Sequence, residues 1–337
     1  MAETPEQPSD TGQPEQTSQA AGSSTADVVT PPAPAPAPAK KQYCASLWPG
    51  PNVPVDSQYA ETILELEVAL GMPLWLLVQR DGGGHEVEYI SDLVATSLVD
   101  AIAAEPAAQQ IALLVDSPGG DARSAYKIAT SIRRHCGEFT AIVPRRAKSA
   151  ATLLVLGSNR ILLGKFGELG PLDAQLYDPE RENMMSALDE VQALERLLAF
   201  SLEALDQSMF LMVRRSGKKV RSIMPEMSSF ISNLVHPLFE NIDVVHYTQM
   251  SRMLKVAEEY AVRLLRPQYT GKIAEEIARH LVVHYPEHGF VIDAEEAASF
   301  GLKTEPVPPN SAIIVEKLRP VLGPWTLIGR IKEVPSI

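Results

Sequence analysis

Between Pro73 and Leu163 the chain alternates short apolar segments with amphipathic ones, and this alternation allows few folds. Almost continuous apolar runs are typical of strands that are buried on both faces of a parallel sheet. The predicted strands are 73–79, 111–115, 139–143 and 161–163, and the predicted helices that separate them are 91–102, 122–135 and 150–156. Strands joined by helices in this order predict an α/β fold with a mainly parallel sheet and helices on both faces.

The regions outside this alternation differ in composition. Residues 1–42 contain no aromatic, Leu or Ile side chain and are predicted to be a disordered Pro/Ala-rich tail. The catalytic or binding domain is expected to span 43–305, with a helical segment at about 181–266 inserted into it. That segment could pack on its own sheet or clasp a second subunit. Residues 306–337 are expected to form a Pro-rich extension.

The charge and the cysteines exclude several classes of function. The net charge of −12 and the isoelectric point near 5.1 argue against a nucleic-acid-binding protein, which needs clustered Lys and Arg. Cys44 and Cys136 have no metal-binding spacing, so no metal and no organic cofactor is expected. The amino terminus resembles no secretory signal and no apolar run could span a bilayer, so a cytoplasmic protein is expected.

The segment 116–121, Asp-Ser-Pro-Gly-Gly-Asp, lies where a predicted strand gives way to a helix. Two glycines allow backbone N–H groups to turn toward a ligand, and the helix N-terminus adds positive potential for a developing oxyanion. An ordinary tight turn capped by Asp121 is the alternative, and the commoner use of such a sequence.

The segment 147–152, Ala-Lys-Ser-Ala-Ala-Thr, lies at the next such junction. A serine there can present its hydroxyl to a cleft while the next backbone N–H serves as an oxyanion donor. Alternatively, Ser149 is simply the N-cap of the helix.

In this order the two segments resemble those of the Clp protease and crotonase superfamily, and most closely its signal peptide peptidase A and serine dehydrogenase proteinase branch. The segment 168–175, Glu-Leu-Gly-Pro-Leu-Asp-Ala-Gln, looks like the LGP-D-Q segment of that branch. Late in the chain, 284–290 (His-Tyr-Pro-Glu-His-Gly-Phe) and 295–302 resemble its ending. The resemblance covers roughly residues 65–305 and implies a ClpP/crotonase-like fold.

The resemblance implies that Ser149 is the nucleophile of a serine peptidase, with the N–H groups of Gly120 and Ala150 forming the oxyanion hole. Relatives usually carry two glycines after the serine, where this chain has Ala150 and Ala151. It also implies a homo-oligomer that acts on peptides or unfolded proteins.

The general base is left open by the sequence. No histidine lies between Ser149 and Asp178, so the Clp triad is incomplete there. The signal peptide peptidase branch uses a lysine, which by resemblance is Lys219 or else Lys218, provided that burial lowers its pKa. Two solvated lysines after a long helix are the alternative.

Three further residues with polar side chains lie in or near these motifs. His284 could act as a base, although a structural role beside Tyr285 is the commoner case. Lys148 adjoins Ser149, but consecutive side chains point in different directions, so it is expected to face solvent or an acidic neighbour. Asp173, beside the Gly-Pro turn, is expected to fix that loop rather than to take part in the chemistry.

Two functions of other classes remain open at the level of sequence. The absent histidine and the Ala150-Ala151 pair would suit a catalytically inactive oligomeric scaffold that binds peptides. An acyl-CoA-handling crotonase relative would use the same oxyanion geometry, but Ser149 and the 168–175 segment count against it.

Overall fold

The four strands and three helices predicted between residues 73 and 163 all form, each within two residues of its predicted bounds. A computed structural model describes residues 41–80, 82, 84–106, 108–173, 175–178, 183–240 and 242–334. The predicted tail therefore lies outside the described residues, apart from 41 and 42. The strands are β1 (Gln42–Ala45), β2 (Pro54–Val55), β3 (Leu74–Val78), β4 (Gln110–Asp116), β5 (Glu138–Val143), β6 (Arg146–Ala147), β7 (Arg160–Leu163), β8 (Glu168–Leu169), β9 (Gln175–Asp178), β10 (Asn183–Ser186), β11 (Glu305–Pro306), β12 (Leu327–Gly329) and β13 (Ile331–Val334). The helices are α1 (Ser57–Leu70), α2 (Asp92–Ala104), α3 (Ala122–Cys136), α4 (Ala150–Leu156), α5 (Ala187–Ser216), α6 (Val220–Phe239), α7 (Val244–Leu265), α8 (Gly271–Val283), α9 (Ala294–Ser299) and α10 (Pro309–Leu318), followed by a 3-10 turn at Arg319–Val321.

The central sheet has six strands in the order β11-β7-β5-β4-β3-β12. All neighbours in it are parallel except β12, which pairs antiparallel with β3. Strand β4 pairs with β3 on one side, where Val78 lies opposite Asp116, and with β5 on the other side, where Glu138 lies opposite Gln110. The predicted α/β fold with a mainly parallel sheet is therefore confirmed.

Each face of the sheet has its own hydrophobic core, because successive strand residues point to opposite sides. On one face, Leu113 and Val115 pack with side chains of α2, α3, α4, α7 and α8. On the other face, Ala112 and Leu114 pack with side chains of α1 and α10. Helices thus cover both faces. The carboxyl ends of the parallel strands β4 and β5, which precede α3 and α4, lie at the same end of the sheet.

The helical segment after β10 contains the long helix expected from its apolar spacing. Helix α5 is 30 residues long and packs against α6 and α7, whereas α7 also packs against α3, α4 and α8. Many apolar side chains of α5 and α6 stay exposed, including Leu198, Phe200, Leu202, Phe210, Phe230, Leu234 and Leu238. We call this exposed surface of α5 and α6 the helical arm.

The segment after residue 306 is more structured than a Pro-rich extension. Helix α10 contributes Ile314, Val315 and Leu318 to the second core, and β12 forms an edge of the central sheet. Strand β13 pairs with β1 in a separate three-stranded sheet. Within the described ranges, no helix combines the length and the apolar character that crossing a bilayer requires.

Candidate active site

The two glycines after β4 adopt backbone conformations that other residues rarely reach. Gly119 has φ +108° and Gly120 has φ +144°. A Cβ on Gly120 would lie 2.5 Å from the carbonyl oxygen of Ile90, and one on Gly119 would lie 2.6 Å from that of Lys148. Glycine is therefore required at both positions.

The N–H of Gly120 is left free by the way the turn is held. The Ile90 N–H donates to the Gly119 carbonyl (2.7 Å), and the Asp121 N–H donates to the Ile90 carbonyl (2.8 Å). These bonds tie the peptide groups on either side of Gly120 to Ile90. The Gly120 N–H itself has no acceptor among the described residues, and Gly120 lines a cleft.

A buried polar network supports the turn from below. The Ser117 hydroxyl donates to the side-chain oxygen of Gln79 (2.6 Å) and accepts from the Gly119 N–H (3.1 Å). The Gln79 amide donates to the Val87 carbonyl (3.0 Å). Ser117 and Gln79 are fully buried, so the turn is fixed by bonds that water does not compete for.

A buried charge joins the turn to the loop before the serine. Asp116 at the end of β4 is fully buried, and Arg145 donates from Nε to both of its oxygens, at 3.1 and 3.2 Å. The next residue along, Arg146, brings its Nε to 3.7 Å. Pairing compensates for the desolvation of the carboxylate, and it holds the two strand ends together.

Ser149 occupies the N-cap position of α4 but does not cap the helix. Its backbone has φ +51° and ψ −119°, and it is the one non-glycine residue with positive φ in the described ranges. Its side chain makes no capping hydrogen bond. A serine in this strained conformation costs about 1–3 kcal/mol, and such strain clusters at functional sites. The hydroxyl is left to the cleft, which Ser149 lines.

The N–H of Ala150 lies in the first turn of α4, where it has no intrahelical acceptor. No acceptor for it occurs elsewhere in the described chain. Ala150 and Ala151 are buried in the first core, so their methyl groups are accommodated without glycine. The N–H groups of Gly120 and Ala150 are thus both available in the same cleft as Ser149.

The cleft has a volume of about 730 Å³. Besides Gly120, Ser149 and Ala150, it is lined by Tyr89, Pro118, Asp121, Ala122, Arg123, Leu153, Leu172, Asp173, Arg252, Met253, Val256, Ala257 and His288. Among the described residues, no group of three or more His, Cys, Asp or Glu side chains could hold a metal ion.

His288 and Asp173 form a pair in this cleft. Their side chains are 22% and 2% exposed, and the His288 Nδ1 lies 3.9 Å from an oxygen of Asp173. Burial lowers the pKa of His288, the Asp173 carboxylate raises it, and the Lys148 charge lowers it again, for a net decrease from 6.5. Burial raises the pKa of Asp173, although hydrogen bonds from Ser186 and the Leu188 N–H oppose this. His288 is therefore neutral at pH 7, as a general base must be.

Lys148 connects the serine loop to the loop that carries His288. Its ammonium donates to the carbonyls of Leu169 (3.2 Å) and Phe290 (3.1 Å) and pairs with Glu168 (2.8 Å). The expectation that it faces an acidic neighbour is met by Glu168. Lys148 is not among the residues that line the cleft.

Thr152 fixes the Gly-Pro turn that precedes Asp173. Its hydroxyl lies 2.6 Å from the Ala147 carbonyl and 2.9 Å from the Gly170 carbonyl, and it accepts from the Gly170 N–H (3.0 Å). The Leu188 N–H donates to Asp173 (3.2 Å). Asp173 thus fixes the following chain, as the sequence indicated, and in addition faces His288.

The candidate bases chosen from the sequence lie elsewhere. Lys219 is the N-cap of α6 and is exposed, as is Lys218, and neither lines the cleft. His284 is exposed at the end of α8, where its ring stacks on His280 at 4.1 Å and meets Tyr285 edge-on at 5.6 Å. This arrangement does not support Lys219 as the base, and it gives His284 the structural role that the sequence analysis favoured.

His288 was missed as a base, although it belongs to the 284–290 segment that carried the resemblance. The signal for it was a second histidine in that segment, next to Gly289. Sequence spacing alone could not pair His288 with Asp173, because Asp173 precedes the helical segment in the chain and His288 follows it.

Comparisons with known proteins agree with this geometry. Residues 88–235 match the family described as ClpP-like SDH-type serine proteinase. Two uncharacterized proteins of Methanocaldococcus jannaschii are similar over longer stretches: MJ0137 is 24% identical over 221 residues, and MJ1495 is 22% identical over 223 residues. Each alignment covers 66% of this chain but only 62% and 61% of the respective relative, so it spans less than two thirds of their length.

Proposed function

We propose that this chain, whose residues 88–235 match the ClpP-like SDH-type serine proteinase family, hydrolyses peptide bonds through an acyl-enzyme on Ser149. One observation carries the proposal. Ser149 is held at positive φ with its hydroxyl uncapped, in a cleft that also contains the free N–H groups of Gly120 and Ala150. A serine that merely capped α4 would need neither the strain nor the free donors.

In the first half of the reaction, the Ser149 Oγ attacks the substrate carbonyl carbon while its proton passes to His288. The carbonyl oxygen becomes an oxyanion that accepts hydrogen bonds from the Gly120 and Ala150 N–H groups. The C–N bond then breaks, His288 returns the proton to the departing amine, and an ester to Ser149 remains.

In the second half, His288 takes a proton from a water molecule, whose oxygen attacks the ester carbonyl. The second tetrahedral intermediate is stabilised by the same two N–H groups. It collapses to a carboxylic acid and Ser149, which regains its proton from His288. The buried Asp173 stabilises the imidazolium that exists between these proton transfers.

His288 replaces Lys219 in this mechanism because it lines the cleft and is neutral at pH 7, whereas Lys219 is exposed on another helix. The 3.9 Å between His288 and Asp173 is longer than a hydrogen bond. Catalytic hydrogen bonds are often long without substrate and tighten in the complex.

The test is covalent labelling with a fluorophosphonate, read by intact mass, together with cleavage of an unfolded protein substrate. Wild type should gain one adduct, and Ser149→Ala should gain none and lose cleavage by about 10³-fold or more. Ser158→Ala is a matched control, because that serine lies in the same domain but outside the cleft lining, and its hydroxyl bonds to the Val155 and Arg160 carbonyls. Absence of an adduct on folded wild type would instead favour the inactive peptide-binding scaffold.

We further propose that the protein self-associates through the helical arm. Large apolar side chains on an isolated surface are costly to expose, and Phe210 and Phe230 are 65% and 54% exposed. A second copy of α5 and α6 would cover them. Analytical ultracentrifugation should show an oligomer for wild type and a smaller species for Phe210→Glu/Phe230→Glu, whereas a monomeric wild type would contradict self-association.

A further inference from the structure

Helix α7 forms one wall of the cleft and continues beyond it. Met253, Val256 and Ala257 face the cleft on this helix, opposite Leu153 and Leu172. The same helix lines a second depression of about 450 Å³, which shares Arg252 and Val256 with the cleft. Because they share these two side chains, the two depressions adjoin, and we call them together the groove; all lining residues of the second depression belong to α7.

The second depression has more basic than acidic side chains, although the whole chain carries a net charge of −12. Beyond Val256 it is lined by Lys255, Glu259, Tyr260 and Arg263, in addition to Arg252. Lys255 is neutralised by Glu258 (2.9 Å) and Glu259 (3.6 Å). Arg252 and Arg263 form no ion pair with any described residue, and both are exposed.

The groove is built on a rigid support. Tyr260 stacks on Tyr126 of α3 with ring centroids 4.4 Å apart, and Leu254, Ala261 and Leu264 of α7 lie in the first core. Arg252 and Arg263 are eleven positions apart on this helix, or about 16 Å at 1.5 Å per residue. An extended peptide of about five residues covers that distance at about 3.3 Å per residue.

We propose that this groove is a substrate subsite for a peptide carboxylate, bound by the guanidinium group of Arg252 or by that of Arg263, the latter about five residues farther along the peptide than the part that contacts Arg252. This inference rests on the proposed peptidase function. Guanidinium groups suit this role because they offer paired N–H donors that match a carboxylate. The carboxylate can be that of an Asp or Glu side chain or that of a peptide C-terminus.

The test measures binding rather than cleavage, so that its failure is distinct from failure of the peptidase. The Ser149→Ala protein keeps the groove and leaves the peptide intact. Fluorescence anisotropy would follow a labelled apolar peptide with one Glu placed two to five residues from its central Leu, beside versions with Gln at that position. Each peptide would be used with a free and with an amidated C-terminus, which separates the two sources of the carboxylate.

On the Ser149→Ala background, at least one carboxylate-bearing peptide should bind about tenfold more tightly than the amidated Gln peptide, and less so at high salt. At least one of Arg252→Glu and Arg263→Glu should abolish this preference, and both variants should bind the amidated Gln peptide within about twofold of the unsubstituted groove. Arg279→Glu is the matched control, because Arg279 is exposed on α8 and outside the groove. Equal binding of all four peptides, or a preference that survives both groove substitutions, would overturn the proposal.

Discussion

The side of the cleft that carries Ser149 is held by continuous buried hydrogen bonds, whereas the side that carries His288 depends on a few contacts between distant segments. On the serine side, Gln79, Ser117 and Asp116 are each fully buried and bonded. On the histidine side, the 288–292 segment is joined to the serine side by the Lys148 bond to Phe290 and by the backbone pairing of Leu169 with Ile292.

This difference separates two tasks of the site. Oxyanion donors stabilise a transition state only if they are positioned in advance, so the serine side benefits from rigidity. In the proposed mechanism the histidine moves protons to and from three different groups during a turnover, and its 3.9 Å separation from Asp173 leaves room for adjustment. We therefore expect that the serine side is preorganised, and that His288 reaches its catalytic position when substrate binds.

Removing the base should have the largest effect. We expect His288→Ala to lower kcat by roughly 10²–10⁴-fold, because His288 is the imidazole among the described residues that line the cleft with Ser149. Thermal unfolding should change little, since the side chain is partly exposed. Steady-state cleavage assays on the purified variant give the measurement.

Two control variants test the general bases that the sequence suggested instead of His288. Lys219→Ala and His284→Ala should retain kcat within about twofold, because both residues lie outside the cleft lining. A loss of turnover in Lys219→Ala together with normal turnover in His288→Ala would restore the lysine as base and invalidate the comparison of the two sides.

Loosening the connection between the sides should have an intermediate effect. Lys148→Met leaves the Phe290 carbonyl and the Glu168 carboxylate without the Lys148 ammonium, and leaves the Leu169 carbonyl with the Ile292 N–H as its donor, which costs about 1–3 kcal/mol of stability. We expect kcat to fall about tenfold with KM nearly unchanged, because the histidine is displaced while the substrate wall on α7 is intact. Chemical denaturation and steady-state kinetics would measure the two effects.

Glu168→Gln is the matched variant for this prediction. It keeps the size of the side chain that meets Lys148 but removes its charge, and both carbonyl bonds remain. A smaller fall in kcat than in Lys148→Met would show that the carbonyl bonds position the histidine. Equal falls in the two variants would show that the ion pair with Glu168 is the important contact.

The serine side could be predicted from the sequence because all its parts are local. Each of its turns directly follows an apolar strand and precedes a helix with a recognisable start, so Gly120, Ser149 and Ala150 come from patterns only a few residues long. The positive φ of Ser149 could not be foreseen, since serine at a strand–helix junction is more often a helix cap.

The histidine side could not be predicted, because its residues are brought together by long-range packing. Asp173 precedes the β9–β10 hairpin and His288 follows α8, and no periodic pattern connects them. Residues 307–334 were missed for a related reason: β12 is three residues long and lies in a segment rich in Gly and Pro. Its place at the edge of the sheet follows from pairing with β3, not from its own composition.

The pH dependence should show the smallest change, about one pH unit or less, and it distinguishes the two neighbours of His288. Since activity requires neutral His288, and its pKa is lowered from 6.5, the acidic limb of kcat/KM should lie below pH 6.5. The Asp173 carboxylate raises this pKa and the Lys148 charge lowers it. Asp173→Asn should therefore move the limb to lower pH, whereas Lys148→Met should move it toward 6.5.

Profiles of kcat/KM for the two variants beside wild type would measure both shifts. If both variants moved the limb in the same direction, or if neither moved it, the group that titrates would not be His288 held between these two charges.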